Sequence, residues 1–171
     1  MQDTKAITVD AAMRAFLSLL LCLILAVPAM AAPHFTGHVI SVADGDTITA
    51  LTPDMQQIKI RLYGVDCPEH GQAFSRRARE ATSKAVFDKI VTVWPMDTDS
   101  YGRTVAVVYM PDGKSLNAHL VRSGLAWVYP RHCKQADICE PLRKLEQTAK
   151  GQKKGLWADK NPVPPWEWRQ K

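Results

Sequence analysis

Residues 35–65, FTGHVISVADGDTITALTPDMQQIKIRLYGV, decide the fold class of this chain. Three short segments within this stretch alternate apolar with polar residues, and they cover residues 38–42, 47–51 and 58–65. Asp44-Gly45-Asp46 and Thr52-Pro53-Asp54 separate them, and both are sequences that hairpin turns favour. Alternation of this kind is typical of a strand with one buried face, so the stretch predicts an antiparallel meander of three strands.

Helical and extended patterns alternate over the rest of the chain. Apolar residues at helical spacing predict three helices, over residues 73–89, 115–123 and 140–150, the last with Pro141 in its first turn. Extended patterns cover residues 90–94 and 104–110, with a brief one over 125–129. Five main strands and three α-helices predict an α+β fold built on a five-stranded OB-fold barrel.

The first 31 residues have the pattern of a secretory signal peptide. The apolar run over residues 15–27 follows Arg14, and Ala29-Met30-Ala31 offers a cleavage point after Ala31. Acidic residues are unusual in such a leader, and Asp3 and Asp10 leave translation from Met13 as an alternative start. We therefore predict an exported protein, periplasmic or secreted, with membrane contact only through an uncleaved leader.

The exported chain is expected to contain one domain, residues 32–160, and a Pro/Trp-rich tail, residues 161–171. The tail cannot continue a helix, and we expect it to lie extended against the body or to carry its tryptophans into solvent. A formal net charge of +5 favours polyanionic partners. Cys133 and Cys139 lie close together in a polar loop and are predicted to form a disulfide, because an oxidising compartment permits one. Cys67 is then a free, half-buried thiol.

Two acidic motifs and a basic one carry the candidate chemistry. Asp44-Gly45-Asp46-Thr47 is a turn with two carboxylates, and the segment 61–69, RLYGVDCPE, places Arg61, Asp66 and Glu69 at the end of a strand. Strict alternation would put Arg61 and Asp66 on opposite faces, so a shared site requires a bend near Gly64. Three carboxylates brought together call for a cation, and oxygen ligands suit calcium or magnesium.

Tyr101-Gly102-Arg103 brings a second arginine to the start of a strand. A lone arginine there is usually a surface charge. Together with Arg61 and a metal ion, however, Arg103 would supply a pair of guanidinium groups for a phosphodiester, whose oxygens gain negative charge during attack by water. Glu69, if it does not bind the metal, would then orient or deprotonate that water.

The order Asp-Gly-Asp-Thr, Arg-x5-Cys-Pro-Glu and Tyr-Gly-Arg resembles the staphylococcal nuclease (thermonuclease) family. The resemblance covers nearly all of the exported chain, from Gly37-His38-Val39-Ile40 to Ser123-Gly124-Leu125-Ala126 and Lys154-Gly155-Leu156-Trp157. It implies an OB barrel with three helices, one Ca²⁺ ion, and hydrolysis of DNA and RNA to products that end in a 3'-phosphate. No stable protein partner is implied, and a monomer is the default expectation.

The resemblance also implies roles for individual residues. Asp46 and Asp66 would be carboxylate ligands of calcium, with the backbone carbonyl of Cys67 as a third ligand. Glu69 would be the general base, and Arg61 and Arg103 would bind the scissile phosphate.

Four further residues would lie around the catalytic group. Asp44 would be an acid near the metal, and Tyr101, Trp127 and Tyr129 resemble positions that flank the bound nucleotide, although ordinary packing explains them equally well. Ser100 stands where a familiar relative has a lysine, so the resemblance implies one phosphate contact fewer.

Two other classes of protein remain as alternatives. A binding module could keep the barrel without the reaction, but it would not need an acid cluster beside two arginines. An adhesion or wall-binding protein could use the Pro/Trp tail as its contact surface, and only the tail supports that interpretation.

Overall fold

The computed structural model describes residues 33–170, so the predicted signal peptide lies outside the described residues. The strands are β1 (Phe35–Val42), β2 (Thr47–Leu51), β3 (Gln57–Leu62), β4 (Val65–Asp66), β5 (Ile90–Thr98), β6 (Thr104–Tyr109) and β7 (Trp127–Val128). The helices are α1 (Ser75–Val86), α2 (Leu116–Arg122), α3 (Ala136–Gly151), a 3-10 helix (Gly155–Ala158) and α4 (Pro165–Trp168). None of the helices within residues 33–170 is long and apolar enough to cross a membrane.

Five strands close into a barrel in the order β1-β2-β3-β6-β5, which confirms the predicted OB-fold barrel. The predicted meander is antiparallel, as β1 pairs with β2 and β2 with β3. The barrel as a whole is mixed, because β3 and β6 pair in parallel. Since α1 and β5 lie between these two strands in the chain, β6 can return in the same direction as β3.

The barrel interior and one face of α2 form the hydrophobic core. Its largest fully buried side chains include Val39, Ile48, Ile60, Leu62, Val91, Val93, Val108, Leu116, Leu120 and Val121. Each such side chain contributes about 1.5–3 kcal/mol when it leaves water, so this layer supplies most of the driving force for folding. Asn117 on α2 is a buried polar residue inside the core, 1% exposed.

Helix α3 begins at Ala136, one turn before the predicted start near Glu140. Two backbone hydrogen bonds stabilise the additional turn. The N–H groups of Ile138 and Cys139 donate to the Gln135 carbonyl at 3.2 and 2.8 Å. Cys139 is buried in that turn and is joined to Cys133 by a disulfide. Pro141 therefore lies inside the helix, where its missing N–H removes one bond close to the N-terminus.

The C-terminal tail is not extended throughout, contrary to the expectation from sequence. It contains the short helix α4, with Pro165 at its first position, where a missing N–H leaves no bond unmade. Pro165 is buried, and the ring of Trp166 packs against the domain. Residues 162–170 are called the C-terminal strap below.

Two glycines allow the segment after α3 to pack closely against the turn after α2. The backbone N–H of Leu156 donates to the Gly124 carbonyl at 2.9 Å. A Cβ atom built on Gly124 would lie 2.2 Å from the Lys154 carbonyl oxygen, and one built on Gly155 would lie 2.1 Å from the Gly124 oxygen. Both glycines also have positive φ, +66° and +55°, so a side chain at either is excluded by space and by conformation.

Candidate active site

A charged cleft of about 580 Å³ opens beside β3 and β6. The charged residues that line it include Asp44, Asp46, Arg61, Glu69, Arg103 and Arg169. The first five are residues that the sequence analysis singled out, whereas Arg169 belongs to the tail and was not predicted. The two acidic motifs and the basic motif thus reach a common surface.

The break between β3 and β4 brings Arg61 and Asp66 to the same side. Strand β3 ends at Leu62, Gly64 turns with φ of +71°, and β4 leaves the barrel to pair with β7. Arg61 Nη2 then donates to Asp66 Oδ1 at 2.5 Å. The bend that the sequence analysis required near Gly64 is therefore present, as a turn between two strands.

Asn117 holds the start of this turn in place. Its Nδ2 donates to the Tyr63 carbonyl at 2.9 Å, and its Oδ1 accepts from the Val108 N–H at 3.1 Å. The side chain thereby ties the end of β3 to β6 from inside the core. Sequence reasoning missed this residue because a single asparagine on an amphipathic helix gives no sign of its tertiary partners.

Asp46 is fixed by the turn that carries it and by the segment beyond β4. Asp44 Oδ1 accepts from the Asp46 N–H at 3.0 Å, and Thr82 on α1 donates to the Gly45 carbonyl at 2.5 Å. Asp46 Oδ2 accepts from the Cys67 N–H at 2.5 Å, and its Oδ1 pairs with Arg61. One guanidinium therefore binds two carboxylates, whose side chains are 2% and 0% exposed for Asp46 and Asp66.

Strand register places Arg103 near Arg61. Arg61 pairs with Val105 across the parallel strands, so Arg103, two residues before Val105, projects to the same face as Arg61. The Nε of Arg103 donates to Asp99 Oδ2 at 2.7 Å, and its guanidinium lies 5.4 Å from the Tyr101 ring centroid. Partial desolvation of Asp99 acts against ionisation, but hydrogen bonds from Arg103 and from the Tyr101 backbone lower the pKa of Asp99.

Glu69 lies on the loop before α1 and contacts Arg169 of the strap. Arg169 also donates to Asp66, from Nη2 to Oδ2 at 2.8 Å and from Nη1 to Oδ1 at 3.3 Å. Partial burial acts against the charge of this guanidinium, but the hydrogen bonds and charges of Asp66 and Glu69 raise its pKa, so it stays protonated.

Carboxylates and guanidinium groups consequently alternate along the cleft. The order is Asp46, Arg61, Asp66, Arg169 and Glu69, each paired with the next. No motif in the sequence predicted a role for Arg169. It is 103 residues from Asp66 and lies in the tail that was predicted to be extended.

The three predicted aromatic residues occupy different surroundings. Tyr101 is 83% exposed at the cleft, whereas Tyr129 is stacked against Trp166 with ring centroids 4.8 Å apart. Trp127 packs edge-on against Trp157 and Trp166, at 4.2 and 5.7 Å. Tyr101 thus presents an open ring, while Tyr129 and Trp127 are engaged by protein rings.

The oxygen atoms around Asp46 and Asp66 suit a hard cation. Both side chains are buried, and the Cys67 backbone lies against Asp46. Asp66 Oδ1 already accepts from Arg61 and Arg169, whereas Asp46 Oδ2 and Asp66 Oδ2 each accept one of the hydrogen bonds named above and so keep a lone pair for a metal ion. Within residues 33–170, no three His, Cys, Asp or Glu side chains form a metal-binding group. The predicted cluster of Asp46, Asp66 and Glu69 is instead bridged by arginines.

The Cys67 thiol is buried rather than half-buried, at 3% exposure, and is free. Burial raises the pKa of this thiol well above its ordinary value. A thiol that stays protonated is a poor nucleophile and a poor metal ligand. Any contribution of Cys67 to the site must therefore come from its backbone.

A closed five-stranded barrel with helices around it and a charged cleft beside two of its strands defines an OB-fold protein. The profile of the family described as "Staphylococcal nuclease homologue" matches residues 59–159. A protein named "Micrococcal nuclease" from Shigella flexneri is 41% identical over 155 residues, covering 86% of this chain and 86% of that one.

Two other relatives are similarly close. "Protein ParB" from Escherichia coli is 41% identical over 86% of this chain and 85% of its own length. An "Uncharacterized endonuclease" from Escherichia coli O157:H7 is 41% identical over 78% of this chain and 84% of its own length. The chain therefore belongs to the staphylococcal nuclease homologue family.

Proposed function

We propose that this protein is an exported, calcium-dependent endonuclease that hydrolyses phosphodiester bonds of DNA and RNA and leaves 3'-phosphate ends. Family membership and the names of the relatives support a nuclease acting on nucleic acid. The observation that carries the proposal is the pairing of Arg61 with both Asp46 and Asp66, beside Arg103 in one cleft. Two guanidinium groups next to two buried carboxylates are suited to bind a phosphodiester and a cation together.

Arg61 and Arg103 bind the scissile phosphate in this proposal. Asp46 and Asp66 hold Arg61, and Asp99 holds Arg103, so both guanidinium groups are oriented before a substrate arrives. Such preorganised donors stabilise the negative charge that grows on the phosphate oxygens during attack. A binding module without a reaction would need the arginines but not the buried carboxylates behind them.

Glu69 accepts the proton of the attacking water. Its side chain lines the cleft and is 37% exposed, so water can reach it. A carboxylate within hydrogen-bonding reach of the water raises the rate by about 100- to 10,000-fold. Asp44 takes no part in the chemical step. Its Oδ1 accepts a hydrogen bond from the backbone N–H of Asp46 and so supports that residue.

Asp46, Asp66 and the Cys67 carbonyl would hold the calcium ion. When bound, the ion supplies charge stabilisation for the phosphoryl oxygens and a position for the water. An oxygen-only set is the chemistry that calcium prefers over zinc.

Further features support export and a nucleic-acid substrate. The net charge of +5 attracts polyanions, and the disulfide between Cys133 and Cys139 suits a periplasmic or extracellular compartment. Tyr101, with its exposed ring, is the residue best suited to stack on a base. One chain supplies all of the residues that line the cleft, which is compatible with a monomer.

The test is digestion of heat-denatured DNA by purified protein that begins at Ala32, with calcium and again with a calcium chelator. Cleavage that requires calcium, with 3'-phosphate ends on the products, is the expected result. Absence of cleavage by a folded protein that still binds the DNA would favour the binding module. Cleavage that persists in the chelator would contradict the role of calcium.

A further inference from the structure

The C-terminal strap brings a third guanidinium to the candidate active site. Arg169 contacts Glu69 Oε1 and both oxygens of Asp66. One side chain therefore links the proposed general base to a proposed cation ligand. The family profile ends at residue 159, so this contact lies beyond the matched segment.

The strap is anchored at several points along its length. Gln72 Nε2 donates to the Val163 carbonyl at 2.7 Å, and Pro165 is buried. Trp166 stacks on Tyr129 with the two rings 4° from parallel. Prolines at 162, 164 and 165 restrict the backbone further. A segment held in this way places Arg169 in the lining of the cleft.

Gln72 connects the strap to Glu69 a second time. Its Oε1 accepts from the Glu69 N–H at 2.9 Å, while its Nε2 binds the strap, and the side chain is buried. The strap thus reaches the backbone of Glu69 through Gln72 and the carboxylate of Glu69 through Arg169. Both contacts restrict a residue that would otherwise lie on a loop with several rotamers open to it.

We propose that Arg169 is a positioning residue that fixes the carboxylate of Glu69 for catalysis, an inference that rests on the nuclease function proposed above. A general base must lie within hydrogen-bonding reach of its water, and a displacement of about 1 Å can lower the rate by about 100-fold. A guanidinium suits this task because its planar fork fixes direction as well as distance.

The charge of Arg169 gives the proposal a distinctive signature. The guanidinium shares Asp66 with the expected calcium ion and repels it, so removing the positive charge should leave calcium binding unchanged or make it tighter. The same change should slow cleavage, because Glu69 loses its partner. If Arg169 only supported the fold, its replacement would weaken calcium binding and also slow cleavage.

The experiment compares Arg169→Gln and Arg169→Lys with the wild type and with Arg76→Gln. Arg76 is 88% exposed on α1, so its replacement removes the same charge away from the cleft. Calcium affinity is measured by calorimetry without nucleic acid, and kcat and KM are measured on heat-denatured DNA at saturating calcium. Thermal melting checks the fold of each variant.

The expected result for Arg169→Gln is a fall in kcat of about 100-fold with little change in KM. Calcium should bind at least as tightly as it does to the wild type. Lysine should restore part of kcat, because it keeps the charge without the fork. Gln72→Ala, which loosens the strap from the other side, should lower kcat by a smaller factor. Arg76→Gln should match the wild type.

Several outcomes would overturn the inference. An unchanged kcat in Arg169→Gln would show that Glu69 does not depend on Arg169. A higher kcat with tighter calcium binding would show that the strap inhibits the enzyme. Weaker calcium binding together with a lower kcat and a lower melting temperature would make Arg169 structural. An inactive wild type would contradict the nuclease function and this role with it, whereas an active wild type matched by Arg169→Gln would contradict only the role of Arg169.

Discussion

Glu69 has the most specific assignment at the scale of the single residue, and Glu69→Gln tests it. The amide keeps the shape of the side chain but cannot accept the proton from water, so kcat should fall by about 1,000-fold while folding and calcium affinity stay near wild type. Cleavage of heat-denatured DNA at saturating calcium measures the effect. Glu140→Gln, an exposed change on α3 outside the cleft, is the matched control. Wild-type turnover in Glu69→Gln would remove Glu69 from the mechanism.

Sequence predicted the residues of the cleft better than it predicted their partners. Asp46, Arg61, Asp66, Glu69 and Arg103 could be grouped because three short motifs carry them, in an order that resembles a known family. Arg169 could not be added, since its contact with Asp66 joins residues far apart in sequence. A contact of that kind depends on where the strap packs, and no local pattern encodes it.

Among the secondary-structure elements, α2 stabilises the junction of β3 and β6 through Asn117. Asn117→Ala should lower the free energy of unfolding by about 2 kcal/mol, because the buried Tyr63 carbonyl and Val108 N–H lose their partner. Urea unfolding measures the difference. Asn161→Ala removes an exposed side chain and should change stability by less than about 0.5 kcal/mol. Equal effects in the two variants would mean that Asn117 is not needed at the junction.

The turn between β5 and β6 should show a pH dependence that comes from Asp99. Hydrogen bonds from Arg103 and Tyr101 lower the folded-state pKa of Asp99, so its stabilising effect is full above the unfolded-state pKa of about 4. The effect is then lost as the pH falls through the folded-state pKa.

Asp99→Asn should therefore melt below the wild type at neutral pH, and the gap should close in acid below about pH 4. Melting temperatures across that range measure it, with Asp54→Asn in an exposed turn as control. A gap that is constant with pH would show that the charge of Asp99 contributes nothing to stability.

Local patterns predicted the elements more reliably than their ends. Strand β2 was predicted with the bounds that the structure has, because turn residues flank it on both sides. The start of α3 was placed too late because Pro141 is a helix-start signal in isolation. The buried Cys139 and its disulfide stabilise an earlier turn, and neither effect can be read from helix propensity.

At the scale of the whole molecule, binding of nucleic acid should weaken with salt. Lys59, Arg61 and Arg103 line the cleft, and three phosphate contacts to a single strand would make affinity fall about 20-fold between about 50 and 200 mM salt. Fluorescence anisotropy of a labelled oligonucleotide with Glu69→Gln in calcium would measure binding without cleavage. Lys59→Gln should reduce the slope, while Lys84→Gln on the exposed part of α1 should not. A slope that stays at the wild-type value in Lys59→Gln would place the nucleic acid elsewhere.

The contact between Gly124 and Gly155 has a consequence for how this lineage can evolve. A side chain at either glycine would collide with the backbone of the other segment, because the two backbones approach closer than a Cβ atom allows. A point mutation in either codon is therefore selected against while the partner segment keeps its course. Homologous genes should carry both glycines or neither, and any insertion that remodels one segment should coincide with a change in the other.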